Sequence, residues 1–339
     1  MSALIVVGLA LLAVVGPGLG VAAAQEMVKV GDLGIVGDGP IYIGVEKGYF
    51  KDRGIAVKLE KFPSAATAMA PLSTGEIHVV GGGISPALFN GVARGMPIKI
   101  VAARARDIDA NSVDVLMIRA DLKDDVRRIG DLKGRRIAVN AAGSPLTYMV
   151  ARMLESDGLT LKDVELVSMP WPDMGTAFAN KAIDAGAIVD PFTAQFEDRK
   201  VATLLRRASD VVRNPWFEVS VLLYNAEWAK KSPKVAGDFA VAYLRAAREL
   251  HDAMYGGKNR AEIVDILTRN TRVKDKALYD RMHWGHIDPN GVVGRESIKE
   301  QQEWWVRQGT VTRRVDVDDL VDESFVRYAV EQLGPHRGR

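Results

Sequence analysis

The chain has 339 residues, 47% of them hydrophobic and 26% charged, with a net charge of +2. This is the make-up of an ordinary folded protein, and the length exceeds what one hydrophobic core usually organises, so two lobes are expected. The absence of cysteine excludes disulfides, thiolate zinc sites and cysteine nucleophiles, and basic pairs such as Arg127–Arg128, Arg135–Arg136 and Arg313–Arg314 are scattered rather than gathered into a nucleic-acid footprint.

Residues 1–24 carry no charge, and Leu4 to Val15 form an apolar run that is short for a membrane span, followed by Gly16, Pro17 and Gly18. With Ala22, Ala23 and Ala24 as a cleavage site, this predicts an export signal and a mature chain starting at Gln25. The segment lacks the usual Lys or Arg ahead of its apolar run, which leaves a start further upstream and a retained membrane anchor as alternatives. No later stretch has the length and apolarity of a transmembrane helix. An exported protein without a lipidatable cysteine is expected in a Gram-negative periplasm.

From Val28 onward, short β-branched runs alternate with helical patterns, which predicts an α/β fold with a largely parallel sheet. Strands are predicted over Val28 to Leu33, Ala56 to Glu60, Ile77 to Val80, Ile98 to Ala102, Val115 to Ile118, Arg136 to Val139, Val164 to Ser168, Ala187 to Val189 and Val219 to Tyr224. Helices are predicted over Ser232 to Met254, Arg260 to Arg269, Asp275 to Trp284, Glu296 to Arg307 and Val317 to Gln332. The Trp304–Trp305 pair reads as packing on an amphipathic helix.

Four strand ends run into a capping residue and then proline: Gly39-Pro40, Ser85-Pro86, Ser144-Pro145 and Asp190-Pro191. Proline favours the first helical position and Ser, Asp or Gly the cap, so each pair marks a helix start beyond the carboxyl end of a strand. In open α/β sheets ligands bind at that edge, and helix starts offer unpaired amides and partial positive charge to an anion.

The stretch Gly39-Pro40-Ile41-Tyr42-Ile43-Gly44-Val45-Glu46-Lys47-Gly48-Tyr49-Phe50 resembles the opening signature of the nitrate/sulfonate/taurine family of ABC-transporter substrate-binding proteins. Asp131 to Val139, Ala182-Ile183-Asp184-Ala185 with Asp190-Pro191, and Asp318 to Phe325 resemble later landmarks in the family's order. The resemblance implies a type II periplasmic binding protein fold: two α/β lobes with mostly parallel sheets, joined by two hinge crossovers, closing on a ligand. It places lobe one at residues 25–111 plus 222–339 and lobe two at residues 112–221. It also implies a monomer with no cofactor, bound metal or enzymatic activity. Its partners would be a small anionic organic solute of sulfonate or carboxylate type and the permease subunits of an ABC importer.

On lobe one the ligand-contact candidates are Asp38, Gly39 and Tyr42 on the first turn, then Ile84 and Ser85 after Gly81-Gly82-Gly83, where glycine allows close approach or a turn with positive φ. Arg104 has two readings, a clamp on an acidic group or a solvated surface residue. On lobe two they are Ser144 and Thr147 at one helix start, Trp171 as a wall, and Asp190 with Phe192 on the last turn. Asp190 suggests that the ligand also carries a hydrogen-bond donor. Glu218, near the hinge, is a further candidate.

Other readings keep the fold but bind a thiamine-precursor-like pyrimidine or serve a sensory receptor. A serine hydrolase using Ser85 is the weaker rival, because Gly83-Ile84-Ser85-Pro86-Ala87 departs from the nucleophile-elbow pattern and its proline removes an oxyanion-hole amide. Metal binding by His283 and His286 lacks a further motif partner, and the two read as a surface or core pair.

Overall fold

The computed structural model describes residues 25–108, 112–212 and 216–337; the expected export segment and the expected lobe boundary at Asn111 lie outside the described residues. Among the described residues no helix is long and apolar enough to cross a membrane.

The chain begins β1 (Glu26–Asp32), α1 (Gly39–Glu46), β2 (Ile55–Lys61), α2 (Ala65–Thr74), β3 (Val79–Gly83), α3 (Pro86–Ala93), β4 (Ile98–Asp107). It continues β5 (Asp114–Arg119), β6 (Arg136–Val139), α4 (Pro145–Ser156), β7 (Glu165–Ser168), α5 (Trp171–Ala179), β8 (Ala185–Val189), α6 (Phe192–Asp198), β9 (Ala202–Arg207). After β10 (Phe217–Asn225) come only helices: α7 (Ala226–Lys231), α8 (Pro233–Gly256), α9 (Arg260–Asn270), α10 (Leu278–Arg281), α11 (Arg295–Arg307), α12 (Val317–Leu320) and α13 (Ser324–Leu333).

Two five-stranded sheets result, in the orders β2-β1-β3-β10-β4 and β7-β6-β8-β5-β9. In the first, β1 is parallel to β2 and β3, while β10 is antiparallel to β3 and β4. The second repeats this plan, with β6 parallel to β7 and β8 and β5 antiparallel to β8 and β9. The chain crosses between the sheets twice, from β4 to β5 and from β9 to β10. Because β10 pairs from Phe217 to Asn225 with the first sheet, a lobe boundary between Val221 and Leu222 passes through a strand.

Three elements differ from expectation, each for a tertiary reason. β9 has two arginines and an irregular burial pattern, so nothing local marks it as a strand; it forms by pairing with β5. The helix expected over Asp275 to Trp284 shortens to α10, because the following chain bridges to β4 through reciprocal backbone bonds between Arg106 and His286. The helix expected over Val317 to Gln332 splits into α12 and α13 where Val321 bridges Ile100 and the Asp322 amide donates to the Ile100 carbonyl.

Packing follows the apolar spacing. The long helix α8 buries Phe239, Tyr243, Ala246, Ala247, Leu250 and Ala253, the i, i+3, i+4 stripe of a core-facing helix. Each large side chain so buried contributes about 1.5–3 kcal/mol. Gly44 admits Phe50 beneath α1, since a Cβ there would lie 2.5 Å from the ring. One apolar cluster runs through both lobes, joining Ile100 and Val221 to Leu116 and Ile137. Its link is aromatic: Tyr148 of α4 lies 5.5 Å from both Phe217 and Trp304. Trp304 and Trp305 are buried packing residues, as expected.

Candidate ligand-binding cleft

Parallel neighbours end at the same edge, so the turn after β1 lies beside the turn after β3, and the turn after β6 beside that after β8. These are the four proline-bearing turns, two in each lobe, and the two edges meet. A Cβ built on Gly83 would lie 2.5 Å from Pro145 Cγ, and one on Gly143 would lie 3.8 Å from Pro86. The starts of α3 and α4 therefore abut across the lobes.

The first-lobe edge is a buried polar network. Arg104 is not a solvated surface residue: it is 5% exposed, and its guanidinium is committed to the protein. Nε donates to the Gly37 carbonyl at 2.8 Å, Nη1 to Ser220 Oγ at 3.1 Å, and Nη2 to Asp38 Oδ1. The other Asp38 oxygen accepts the amides of Leu33 (3.0 Å) and Ile35 (3.4 Å). Burial raises the Asp38 carboxyl above the usual range, opposed by Arg104 and those amides. A carboxylate of the chain itself thus fills the amide cradle of the first turn. Tyr42 donates its hydroxyl to Asp32 Oδ1 at 2.5 Å, so this expected ligand donor is spent internally.

The triple glycine does not form a turn with positive φ. Gly81, Gly82 and Gly83 lie within β3. A Cβ on Gly81 would fall 2.2 Å from Arg104 Nη1, so what glycine admits there is the guanidinium. Gly39 serves packing as well, since a Cβ would meet Leu267 and Leu250 at 2.9 and 3.0 Å. The Ile84 side chain is fully buried in the core, and Ser85 Oγ accepts the Leu88 amide at 3.4 Å, capping α3.

The second-lobe edge holds uncommitted groups. Ser144 caps α4 with its backbone alone; among the described residues its buried Oγ has no hydrogen-bond partner, nor has Oδ1 of Asn140 four residues earlier. Thr147 is buried, its hydroxyl 3.5 Å from the Ala141 carbonyl. At the neighbouring turn the cap falls on Pro191 rather than Asp190. Asp190 accepts the Ala194 amide at 3.4 Å and the His283 amide, linking the second lobe to the chain beyond α10. Burial pushes its carboxyl up to about 6 against those amides and Arg207. Arg207 Nη2 lies 3.1 Å from His283 Nε2. Trp171 stacks on Phe192 at 6.1 Å and donates to the Ala187 carbonyl at 3.1 Å, so both are partly packed at this end of the sheet.

Glu218 stands apart from these turns. Its Oε2 accepts the Gly294 amide at 2.8 Å and pairs with Arg106 at 3.2 Å, against the start of α11. Burial pushes it up to about 7, with Arg106 opposing. Sequence reasoning missed Asp32, Asn140 and Arg207, all strand-end polar residues whose only signal is that position. It also missed Asp107 and Asp114, which flank the first crossover and are both fully buried; burial raises both carboxyls above the ordinary range, and the Asp107 charge raises Asp114 further, while hydrogen bonds from Val113, Ser112 and Asp114 oppose the shift of Asp107.

Two α/β lobes, two strand crossovers and apposed helix starts define the periplasmic solute-binding fold. The chain belongs to the NMT1/THI5-like family, whose profile matches residues 38–253. It is 23% identical over 300 residues to a putative aliphatic sulfonates-binding protein of Bacillus subtilis, covering 86% of this chain and 85% of the relative. A putative thiamine biosynthesis protein of Haemophilus influenzae is 30% identical over 132 residues, 39% of each chain. Among solved structures, the aliphatic sulphonate binding protein SsuA of Escherichia coli superposes with a TM-score of 0.72 at 18% identity, over 89% of this chain and 99% of that one. The family and fold implied by the opening motif are thereby borne out.

Proposed function

We propose that this chain is the solute-capturing subunit of an ABC importer, exported to the periplasm, closing its lobes on a small organic acid of sulfonate or carboxylate type and delivering it to a membrane permease. The observation that carries the reading is the α4 start, where Ser144 Oγ is buried with no hydrogen-bond partner among the described residues and where the flanking Gly143 and Pro145 abut Pro86 and Gly83 of the other lobe. A hydroxyl donor at a helix start suits an oxyanion. Residues of both lobes must touch the ligand, since only contacts better made in the closed state shift a hinge equilibrium. We place the lobe boundaries within the two crossovers, residues 108–113 and 208–216.

A second reading is favoured by the acids. Asp32, Asp38 and Asp190 line the same edges, and Asn140 Oδ1 is a buried, unpartnered acceptor. They suit a ligand that also presents N–H donors, either an amino acid-like zwitterion or a pyrimidine. Ser85 is an unsuitable nucleophile, because its hydroxyl caps α3 and proline follows it.

Native mass spectrometry of freshly purified protein, followed by thermal unfolding with alkanesulfonates, small organic carboxylates, aminosulfonates, nitrate and aminopyrimidines, tests both readings. A ligand that binds only the folded state raises the midpoint with the logarithm of its concentration. Stabilisation by sulfonates or carboxylates supports the first reading and by aminosulfonates or aminopyrimidines alone the second, while a flat panel refutes both.

A further inference from the structure

Outside the four proline-bearing turns, three side chains of the first lobe that could ligate a metal meet near the end of α8. His251 and Asp252 lie near the end of α8, and His336 follows α13 in the C-terminal tail. Asp252 Oδ1 is 3.3 Å from His251 Nδ1 and 3.0 Å from His336 Nε2, and the three ligand atoms all lie within 4.8 Å of one another. Metal–nitrogen and metal–oxygen bonds of about 2.0–2.1 Å put tetrahedral ligand atoms about 3.3 Å apart. Two of the three edges already have that length.

The tail is held in place independently of the triad. The Arg248 guanidinium donates to the Gly334 carbonyl at 2.7 Å and to Asn290 Oδ1 at 3.1 Å. Asn290 Oδ1 also accepts the His336 amide at 2.9 Å, while its Nδ2 donates to the His336 carbonyl at 3.2 Å. His336 is thus delivered to Asp252 by a prebuilt clasp. Its Nδ1 meets no protein partner among the described residues, so no hydrogen bond there fixes the tautomer that keeps a proton on Nε2. Lys258, 3.8 Å from the other Asp252 oxygen, is the nearby competing cation and is largely solvated.

We propose that His251, Asp252 and His336 form a binding site for a divalent transition metal of the zinc class, which pins the C-terminal tail to α8. Two imidazoles with a single carboxylate suit zinc, cobalt, nickel or copper and not calcium or magnesium, which require more oxygen ligands. The three protein ligands leave a fourth position for water.

The test uses full-length, tag-free protein stripped with chelator and titrated with zinc by calorimetry and thermal unfolding. Expected are one equivalent bound, a higher unfolding midpoint with zinc and none with magnesium. H336A and D252N should weaken zinc binding by more than the roughly tenfold typical of losing an outer contact, while H78A should not. Cobalt should give a visible ligand-field spectrum that H336A abolishes. Because His336 lies in the tail, H336A should keep the metal-free midpoint, which separates site loss from misfolding. Equal zinc affinity in wild type and H336A, or no stoichiometric uptake by wild type, overturns the proposal. Neither outcome depends on the identity of the transported solute.

Discussion

Gly83 at the end of β3 and Pro145 at the start of α4 are in van der Waals contact across the two lobes, and the contact leaves no room for a Cβ on the glycine. Backbone here lies against a rigid ring, and the fit of the two helix starts depends on one missing side chain.

Gly83→Ala should push the lobes apart. Overpacking of this kind costs about 1–3 kcal/mol, which, charged to the closed state alone, weakens ligand binding by roughly 5- to 150-fold. Small-angle scattering should show a larger radius of gyration in the presence of ligand. Unchanged affinity and scattering would show that the contact does not govern closure.

The Asp38–Arg104 pair is buried at 4% and 5% exposure. Removing one partner of such a pair leaves an uncompensated charge, so Arg104→Ala should lose about 3–5 kcal/mol in urea unfolding. Replacing both, Asp38→Asn with Arg104→Met, should lose less. If the double variant is the less stable of the two, the pair is not an electrostatic unit.

Two serines in similar motifs should behave oppositely. Ser85 caps α3, and its replacement by alanine should cost about 0.5–2 kcal/mol of stability. Ser144→Ala, which removes no hydrogen bond, should stay within about 0.5 kcal/mol of wild type while weakening ligand binding. Thermal unfolding with and without ligand separates the two effects.

Stability should fall as pH rises through neutrality. Glu218 is raised from an ordinary value of 4.5 to about 7, and Asp107 and Asp114 are raised as well. Between the unfolded and folded values the native state binds more protons than the unfolded chain, so stability is fully present below about pH 4.5 for this group and is lost as pH approaches and passes 7. Glu218→Gln should remove about 1–3 kcal/mol of the difference between pH 5 and pH 8. A pH profile identical to wild type would show that Arg106 keeps Glu218 ionised throughout.

Local physics made much of the fold legible. Alternating β-branched and helical runs announced the α/β order, and Ser-Pro pairs at Ser85 and Ser144 announced two helix starts, because caps and proline act within a few residues. β9 was invisible, since two arginines in a half-exposed strand carry no local period and the pairing with β5 decides it. The break between α12 and α13 is likewise made by Ile100, more than two hundred residues away in sequence.

The candidate site divides along the same line. Which turns reach the cleft follows from strand order and capping, and the chain itself determines that. What each side chain does there depends on which neighbour arrives first. Arg104 is taken by Asp38, Ser85 by Leu88 and Glu218 by Arg106 and Gly294, whereas Ser144 is left free. Burial favours those pairings, because a charge or hydroxyl withdrawn from water loses its solvent partner, and only the assembled tertiary structure decides which groups regain one and which, like Ser144, do not.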